Sequence, residues 1–304
     1  MRIAGVDIGG TSIKVGIFDG DALIRKDSKR TPFGNPDAVC DLIAGMLRGQ
    51  NVQLVGVGTA GSVEFRTGTV SAGNLGWVRV PLRHMLARRL GVPVWVDNDA
   101  QAAIMAEWHN GSCAGAVCAV YLTLGTGIGG AMIIGGKPYR GKNNLGAEFG
   151  HMITHPDGPR CSCGRHGCLE YYASATALRR MSGGRSCRAV IDAAKAGDRA
   201  MLDTFSTFVR ELCIGLNTLI MAFDPEYIVL GGGLSGAGDF LADACQQELE
   251  RIFSETTDPL YCRVRIARHQ NDAGILGAAL LARENLSSFP PDALSMNNPH
   301  NQSN

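Results

Sequence analysis

The chain has 304 residues, of which 45% are hydrophobic and 19% charged, enough for two domains of ordinary size, each with its own core. With 29 Lys and Arg against 28 Asp and Glu, it offers no broad electrostatic field to a polyanion, so nucleic acid is not an expected partner. The opening MRIAGVDIGG is interrupted by Asp7 and two glycines, unlike a secretory leader, and no uninterrupted apolar run approaches the ~20 residues of a membrane helix. A cytoplasmic protein with no membrane partner is expected.

In chain order, RIAGVDIGGTSIKVGIFDG reads as an apolar strand, a Gly-Gly-Thr turn and a second alternating strand, hence a hairpin. A helix is expected over Asp37–Arg48, a strand at QLVGVGTAG, a helix over Pro81–Leu90, a strand at VPVWVDNDA and a helix over Ala100–His109. AVYLTLGTGIGGAMIIGGKPY, from Ala119 to Tyr139, then repeats the strand, glycine turn and strand of the opening. Two copies of this hairpin point to a duplicated α/β fold. After a segment rich in Gly, Pro and Cys, helices are expected over Ala173–Met181, Cys187–Ala196 and Asp198–Phe223. A buried strand at EYIVLGGGLSG, a helix through Glu248, a strand at CRVRIAR and a helix over Gly274–Arg283 complete the pattern. The expected domains are 1–117, joined by the last helix at 274–286, and 118–273. The tail 287–304, SSFPPDALSMNNPHNQSN, has little to bury and is expected to be disordered.

Three glycine turns leave hydrophobic strands: Gly9-Gly10-Thr11, Gly125-Thr126-Gly127 and Gly231-Gly232-Gly233. Each exposes backbone N–H groups that can nest an anion, although a lone glycine hairpin is more often a tight turn. Together they point to a nucleotide. None has the spacing of a P-loop, and none opens a helix as a dinucleotide fingerprint does. Asp7, beside the first turn, is placed to hold Mg²⁺ against β- and γ-phosphates, or else simply ends a strand.

The strand VPVWVDNDA delivers Asp97, Asn98 and Asp99 at its carboxyl end, where open α/β folds place ligands. Either aspartate could be only a helix N-cap. In the functional reading, Asp99 takes a proton from an attacking hydroxyl while Asn98 orients the substrate.

GHMITHPDGPRCSCGRHGCLE, from Gly150 to Glu170, gathers three of the ten cysteines. A redox motif, a free-standing zinc finger and a metal staple are the alternatives. The other seven (Cys40, Cys113, Cys118, Cys187, Cys213, Cys245 and Cys262) lie in apolar surroundings and read as small hydrophobes. Glu148, three residues before His151, and Glu170, two after Cys168, are carboxylates suited to a polyhydroxyl ligand, although isolated glutamates are usually only solvated.

DIGGTSIK, VDNDAQAA, LTLGTGIGGAMI, GAEFGH, CSCGRHGCLE and IVLGGGLS together resemble the ROK family of sugar kinases and repressors, over about Met1 to Arg283. The resemblance implies an α/β, duplicated actin-like (ribonuclease-H-like) fold with two domains around a cleft and a zinc loop at 151–168. It implies ATP-dependent phosphorylation of the 6-hydroxyl of an aldohexose, most simply glucose, by a homodimer. The cofactors would be ATP with Mg²⁺, and a structural Zn²⁺ held by His151, Cys161, Cys163 and Cys168, a closed Cys₃His set. Asp99 would be the catalytic base. Gly61, Asn74, Asn98, Glu148, His151 and Glu170 would contact the sugar. Asp7, Gly9, Gly10, Thr11 and Lys14 would face the phosphates from one domain and Gly125, Thr126 and Gly127 from the other, with Gly231, Gly232 and Gly233 near adenosine.

Many glucokinases of this family carry Pro-Gly where this chain has Thr59-Ala60-Gly61-Ser62, which is closer to kinases of N-acetylmannosamine or glucosides. NLGW and Glu148 point back toward glucose. Family repressors carry a winged helix-turn-helix ahead of the first phosphate motif, and Asp7 at the seventh position leaves no room for one. A sugar sensor without turnover is a further alternative, disfavoured by the presence of Asp99.

Overall fold

The computed structural model describes residues 1–288; the expected disorder of the tail falls, from residue 289 on, outside the described residues. The chain forms two compact units, one of residues 1–106, 141–145 and 272 onward, the other of 107–140 and 146–271.

The first unit is built on a five-stranded sheet of order β3-β2-β1-β4-β8. β1 (Arg2–Ile8) and β2 (Ser12–Asp19) form the expected hairpin, with Ile8 opposite Ile13 and Asp7 opposite Lys14. β3 (Ala22–Arg30) extends it antiparallel, while β4 (Leu54–Thr59) and β8 (Val94–Asn98) run parallel to β1. β4 is buried along its whole length, as a parallel strand covered on both faces must be. α1 (Pro36–Leu47) starts with Asn35 accepting the Ala38 N–H, and α2 (Leu82–Leu90) ends on left-handed Gly91. Val39, Ile43, Leu82 and Leu86 close one core with Val6, Ile8, Ile13 and Val57. β5 (Ser62–Glu64), β6 (Thr69–Ala72) and β7 (Trp77–Val80) add a small separate sheet not anticipated from the sequence.

α3 (Asp99–Asn110) and α9 (Ala273–Glu284) bring their backbones against this sheet and against each other. A Cβ on Gly5 would lie 1.7 Å from Ile275 O, on Gly56 1.8 Å from Ala278 O, and on Gly277 1.6 Å from Ala102 O. Glycine is the only residue that admits such approach.

The second unit repeats the plan with order β11-β10-β9-β12-β13. β9 (Cys118–Leu124) and β10 (Ile128–Ile134) are the second hairpin and β11 (Lys137–Tyr139) its antiparallel extension. β12 (Tyr227–Gly231) and β13 (Arg263–Ile266) are the parallel strands. α7 (Arg199–Phe223) buries Phe208, Leu212, Leu216 and Leu219 in the core of this unit, with α8 (Asp239–Ser254) and α6 (Cys187–Lys195) beside it. By length and composition α7 is the one described helix apolar enough to cross a bilayer, but half of its apolar window is buried in this core.

Two expectations differ from the structure. The helix expected over Ala173–Met181 is broken at Ser174 into α4 (Leu169–Ala173) and α5 (Ala175–Met181), because Ser174 is extended (ψ 170°) and its hydroxyl accepts the Ala177 N–H as a new cap. The first unit leaves α3 at Ala106 and not at 117. The next residue, Glu107, is fully buried and its carboxylate accepts the N–H groups of Ser112 (2.8 Å), Arg268 (3.0 Å) and His269 (2.8 Å), which fixes it in the second unit. Residues 141–145 rejoin the first, where Asn144 Nδ2 donates to Val63 O at 2.8 Å.

Gly277→Ala forces two helix backbones apart, so it should lower unfolding free energy by about 1–3 kcal/mol or more, read as a lower denaturant midpoint. An unchanged midpoint would show that the helices separate without cost.

Candidate phosphate, sugar and metal sites

All the candidate turns lie at the carboxyl ends of β1, β4, β8, β9 and β12. In the first, Gly9 N–H is satisfied by Ser12 O (3.0 Å), and Thr31 closes the turn from outside, its hydroxyl donating to Gly9 O (2.7 Å) and its N–H to Thr11 O (3.0 Å). The N–H groups of Gly10 and Thr11 have no acceptor among the described residues, the arrangement an anion needs. Lys14 lies across the hairpin from Asp7, with Nζ 3.8 Å from Oδ2. Burial pushes the Asp7 carboxyl up to about 6, against the lowering effect of Lys14 and with a further push from Asp99.

Asn98 and Asp99 divide their work. Asn98 Oδ1 accepts the Ala100 N–H at 2.9 Å, as an N-cap does, while its Nδ2 donates to Gly61 O at 3.0 Å. Asp97 is buried and accepts the Asn98 N–H. Asp99 carries no helix cap; its contact is with the N–H of its neighbour Ala100. Burial raises its proton affinity above that of an ordinary aspartate, only partly offset by backbone hydrogen bonds. Gly61 has φ +92°, and a Cβ there would lie 2.4 Å from Ser71 O, so the loop requires glycine. Asn74 sits beside the first phosphate turn, its carbonyl 3.4 Å from where a Gly10 Cβ would be.

In the second unit, Gly125 N–H closes on Gly127 O (3.0 Å), Ala175 N–H takes Gly125 O (2.9 Å) and Thr176 Oγ1 takes Thr126 O (2.7 Å). The start of α5 thus holds this turn by its carbonyls and leaves the N–H side of Thr126 and Gly127 free of acceptors among the described residues. Gly231 and Gly232 abut β9, where Cβ atoms would lie 1.9 Å from the Tyr121 hydroxyl and 2.8 Å from Leu124. Gly233 faces open space.

Ala147 holds φ +66°, a sparsely populated conformation for a residue with a Cβ. It turns the chain into exposed Glu148, whose carboxylate has no partner among the described residues. A 3₁₀ turn over Phe149–His151 follows. His151, Cys161, Cys163 and Cys168 present ligand atoms all within 4.8 Å of one another. Tetrahedral zinc with bonds of ~2.3 Å to sulfur and ~2.0 Å to nitrogen requires S···S edges near ~3.8 Å and S···N edges near ~3.6 Å. The Cys163–Cys168 sulfurs are 3.7 Å apart, and Cys161 Sγ is 3.9 Å from His151 Nδ1. The donor set therefore fits a closed zinc centre. With Cys161 and Cys163 one residue apart, no thioredoxin-type pair exists there.

The chain matches the ROK family over residues 3–285. It belongs to that family. Among its relatives, the glucokinase of Streptomyces coelicolor is 36% identical over 92% of this chain and 97% of its own. Among solved structures, the ROK glucokinase of Streptomyces griseus in complex with glucose and AMPPNP is 35% identical with a TM-score of 0.82, over 93% of this chain and 100% of that one. The ROK hexokinase of Thermus thermophilus is 35% identical with a TM-score of 0.84, over 95% and 100%. The fold is the actin-like ATPase fold of this family.

Beyond the motifs that mark a ROK protein, the structure adds partners that sequence reading did not supply. Glu170 Oε2 accepts the Ile128 N–H at 2.9 Å. His155, inside the cysteine loop, stacks on Tyr172 at 4.0 Å and reaches Glu211 at 3.5 Å. Aromatic and acidic residues at these distances in sequence carry no local signal of pairing.

Metal analysis of purified protein should find about one zinc per chain, and Cys163→Ser should lower both zinc content and melting temperature, because structural zinc contributes folding free energy. Wild-type protein without zinc would contradict the fit.

Proposed function

We propose that this chain is an ATP-dependent hexose kinase that transfers the γ-phosphoryl group to the 6-hydroxyl of glucose. The observation that carries the reading is Asp99: a carboxylate at the carboxyl end of β8, relieved of capping by Asn98 and with its proton affinity raised by burial. Its relatives named glucokinase support the substrate.

Asp99 takes the proton of the 6-hydroxyl as that oxygen forms its bond to the γ-phosphorus and the bond from γ-phosphorus to the β,γ-bridging oxygen breaks, releasing ADP. A base of raised pKa is better matched to this task than an ordinary aspartate. Asn98 fixes the Gly61 loop, and Gly61, Asn74, Glu148, His151 and Glu170 would hold sugar hydroxyls. His151, if it ligates zinc through Nδ1, keeps Nε2 for the sugar. Gly9, Gly10, Thr11 and Lys14, with Gly125, Thr126 and Gly127, would receive the phosphates, and Gly231, Gly232 and Gly233 the adenosine. Mg²⁺ beside Asp7 would neutralise phosphate charge, and the Cys₃His zinc would brace the loop that carries His151 and Glu170. A homodimer is supported by Ile214 and Met221, exposed apolar residues two turns apart on the same face of α7. A cytoplasmic location is supported by a sequence with ten cysteines in which no disulfide forms among the described residues.

Asp99→Asn should retain sugar affinity and lose at least ~10²-fold in turnover; near-normal turnover would remove Asp99 from the mechanism. In the wild type the base must be ionised, so kcat/KM should fall as pH drops through a value above 3.8, the ordinary aspartate position. ADP release should be fastest with glucose in a panel including mannose, fructose and N-acetylmannosamine. Preference for N-acetylmannosamine would trace specificity to Thr59-Ala60-Gly61-Ser62, and sugar binding without ADP release would make the protein a sensor.

A further inference from the structure

The second phosphate turn and the cysteine loop are joined by more than proximity in sequence. β10 begins at Ile128, directly after the turn Gly125-Thr126-Gly127. Its N–H leaves the β-ladder and donates to Glu170 Oε2 at 2.9 Å. A Cβ on Gly127 would lie 2.1 Å from that same oxygen, so the turn closes on Glu170 only because residue 127 has no side chain. On the other side, a Cβ on Gly150 would lie 2.1 Å from Ile128 O, and one on Gly130 2.2 Å from Ala147 O. The first residues of β10 are therefore gripped between the Ala147–His151 segment and Glu170.

The two oxygens of Glu170 are unequally engaged. Oε2 is held by the backbone at normal hydrogen-bond length. Oε1 has only longer contacts, 3.3 Å to Ser162 Oγ and 3.8 Å to Cys161 Sγ, and so keeps acceptor capacity for a ligand hydroxyl. A hydroxyl donating to Oε1 would fix the carboxylate plane, and with it the oxygen that orients the Ile128 N–H and the turn before it.

Resting on the kinase reading above, we propose that Glu170 is a positioning residue that couples the two substrates. A sugar hydroxyl on Oε1 orders the phosphate turn through Oε2, so that sugar raises affinity for the nucleotide and, by linkage, nucleotide raises affinity for sugar by the same factor. This coupling lies within one unit.

The test is the ratio of AMPPNP dissociation constants without and with saturating glucose, measured by calorimetry. Wild type should give a ratio of about fivefold or more. In Ile128→Pro, which deletes the donor at the first residue of a strand, where proline is tolerated, the ratio should fall to within about twofold of unity while glucose still binds. Glu170→Gln, whose amide offers one acceptor oxygen for two donors, should lower the ratio together with glucose affinity. A second readout needs no variant: exchange of the Ile128 amide hydrogen in wild type should slow when glucose alone is added. A wild-type ratio near unity, variants that keep the wild-type ratio, or an Ile128 amide blind to glucose would overturn the coupling while leaving the kinase reading intact. Failure of the wild type to bind either ligand would overturn both.

Discussion

Backbone-to-backbone approach at glycine is the constraint on which the rest depends. In the first unit, Gly5 and Gly56 let α9 lie on β1 and β4, and Gly277 lets it meet α3. In the second, Gly130 and Gly150 bring the Ala147–His151 segment onto β10, and Gly231 brings β12 against the Tyr121 hydroxyl on β9. The resulting packing holds strand ends and helix starts at fixed heights, among them the carboxyl ends of β1, β4, β8, β9 and β12, where the candidate glycine turns and Asp99 sit. Glycines thus divide between two duties, those of the candidate phosphate turns, with N–H groups open to an anion, and those that only set the distance between elements.

Within that frame, polar side chains relieve one another of structural work. Asn98 caps α3 and braces Gly61, which leaves Asp99 outside the cap. Thr31 closes the first phosphate turn from outside, which leaves the N–H groups of Gly10 and Thr11 open. Burial keeps Asp7 and Asp99 both reluctant to ionise, and their mutual repulsion adds to this at Asp7. Lys14 acts against that reluctance at Asp7, and a divalent cation bound beside it would do the same, linking occupancy of the proposed phosphate turn to the charge state of the acidic pair.

Much of this was legible in the sequence because it is local. The paired hairpins announce themselves through period-2 apolarity flanking glycine, and the Cys₃His set through the resemblance of its motif to the family's. The elements that escaped are long-range or marginal. β5, β6 and β7 are three or four residues each, too short for a periodic signal. The break at Ser174 depends on one hydroxyl choosing to cap and not to continue a helix. Glu107 looks like any helical glutamate until the N–H groups of Arg268 and His269 arrive from far along the chain. Glu170 was read as a ligand for hydroxyls alone, since its bond to Ile128 exists only in three dimensions.

The sulfur pair at Cys163 and Cys168 carries a chemical liability. Two sulfurs 3.7 Å apart would be held off from each other by a zinc ion engaging both thiolates; without it, the same two atoms need to close by less than ~2 Å to reach disulfide length. Chelation and oxidation would then be successive steps of one inactivation, the first reversible on adding zinc and the second only with a reductant. A zinc ion in this loop would, on that view, also be a protecting group.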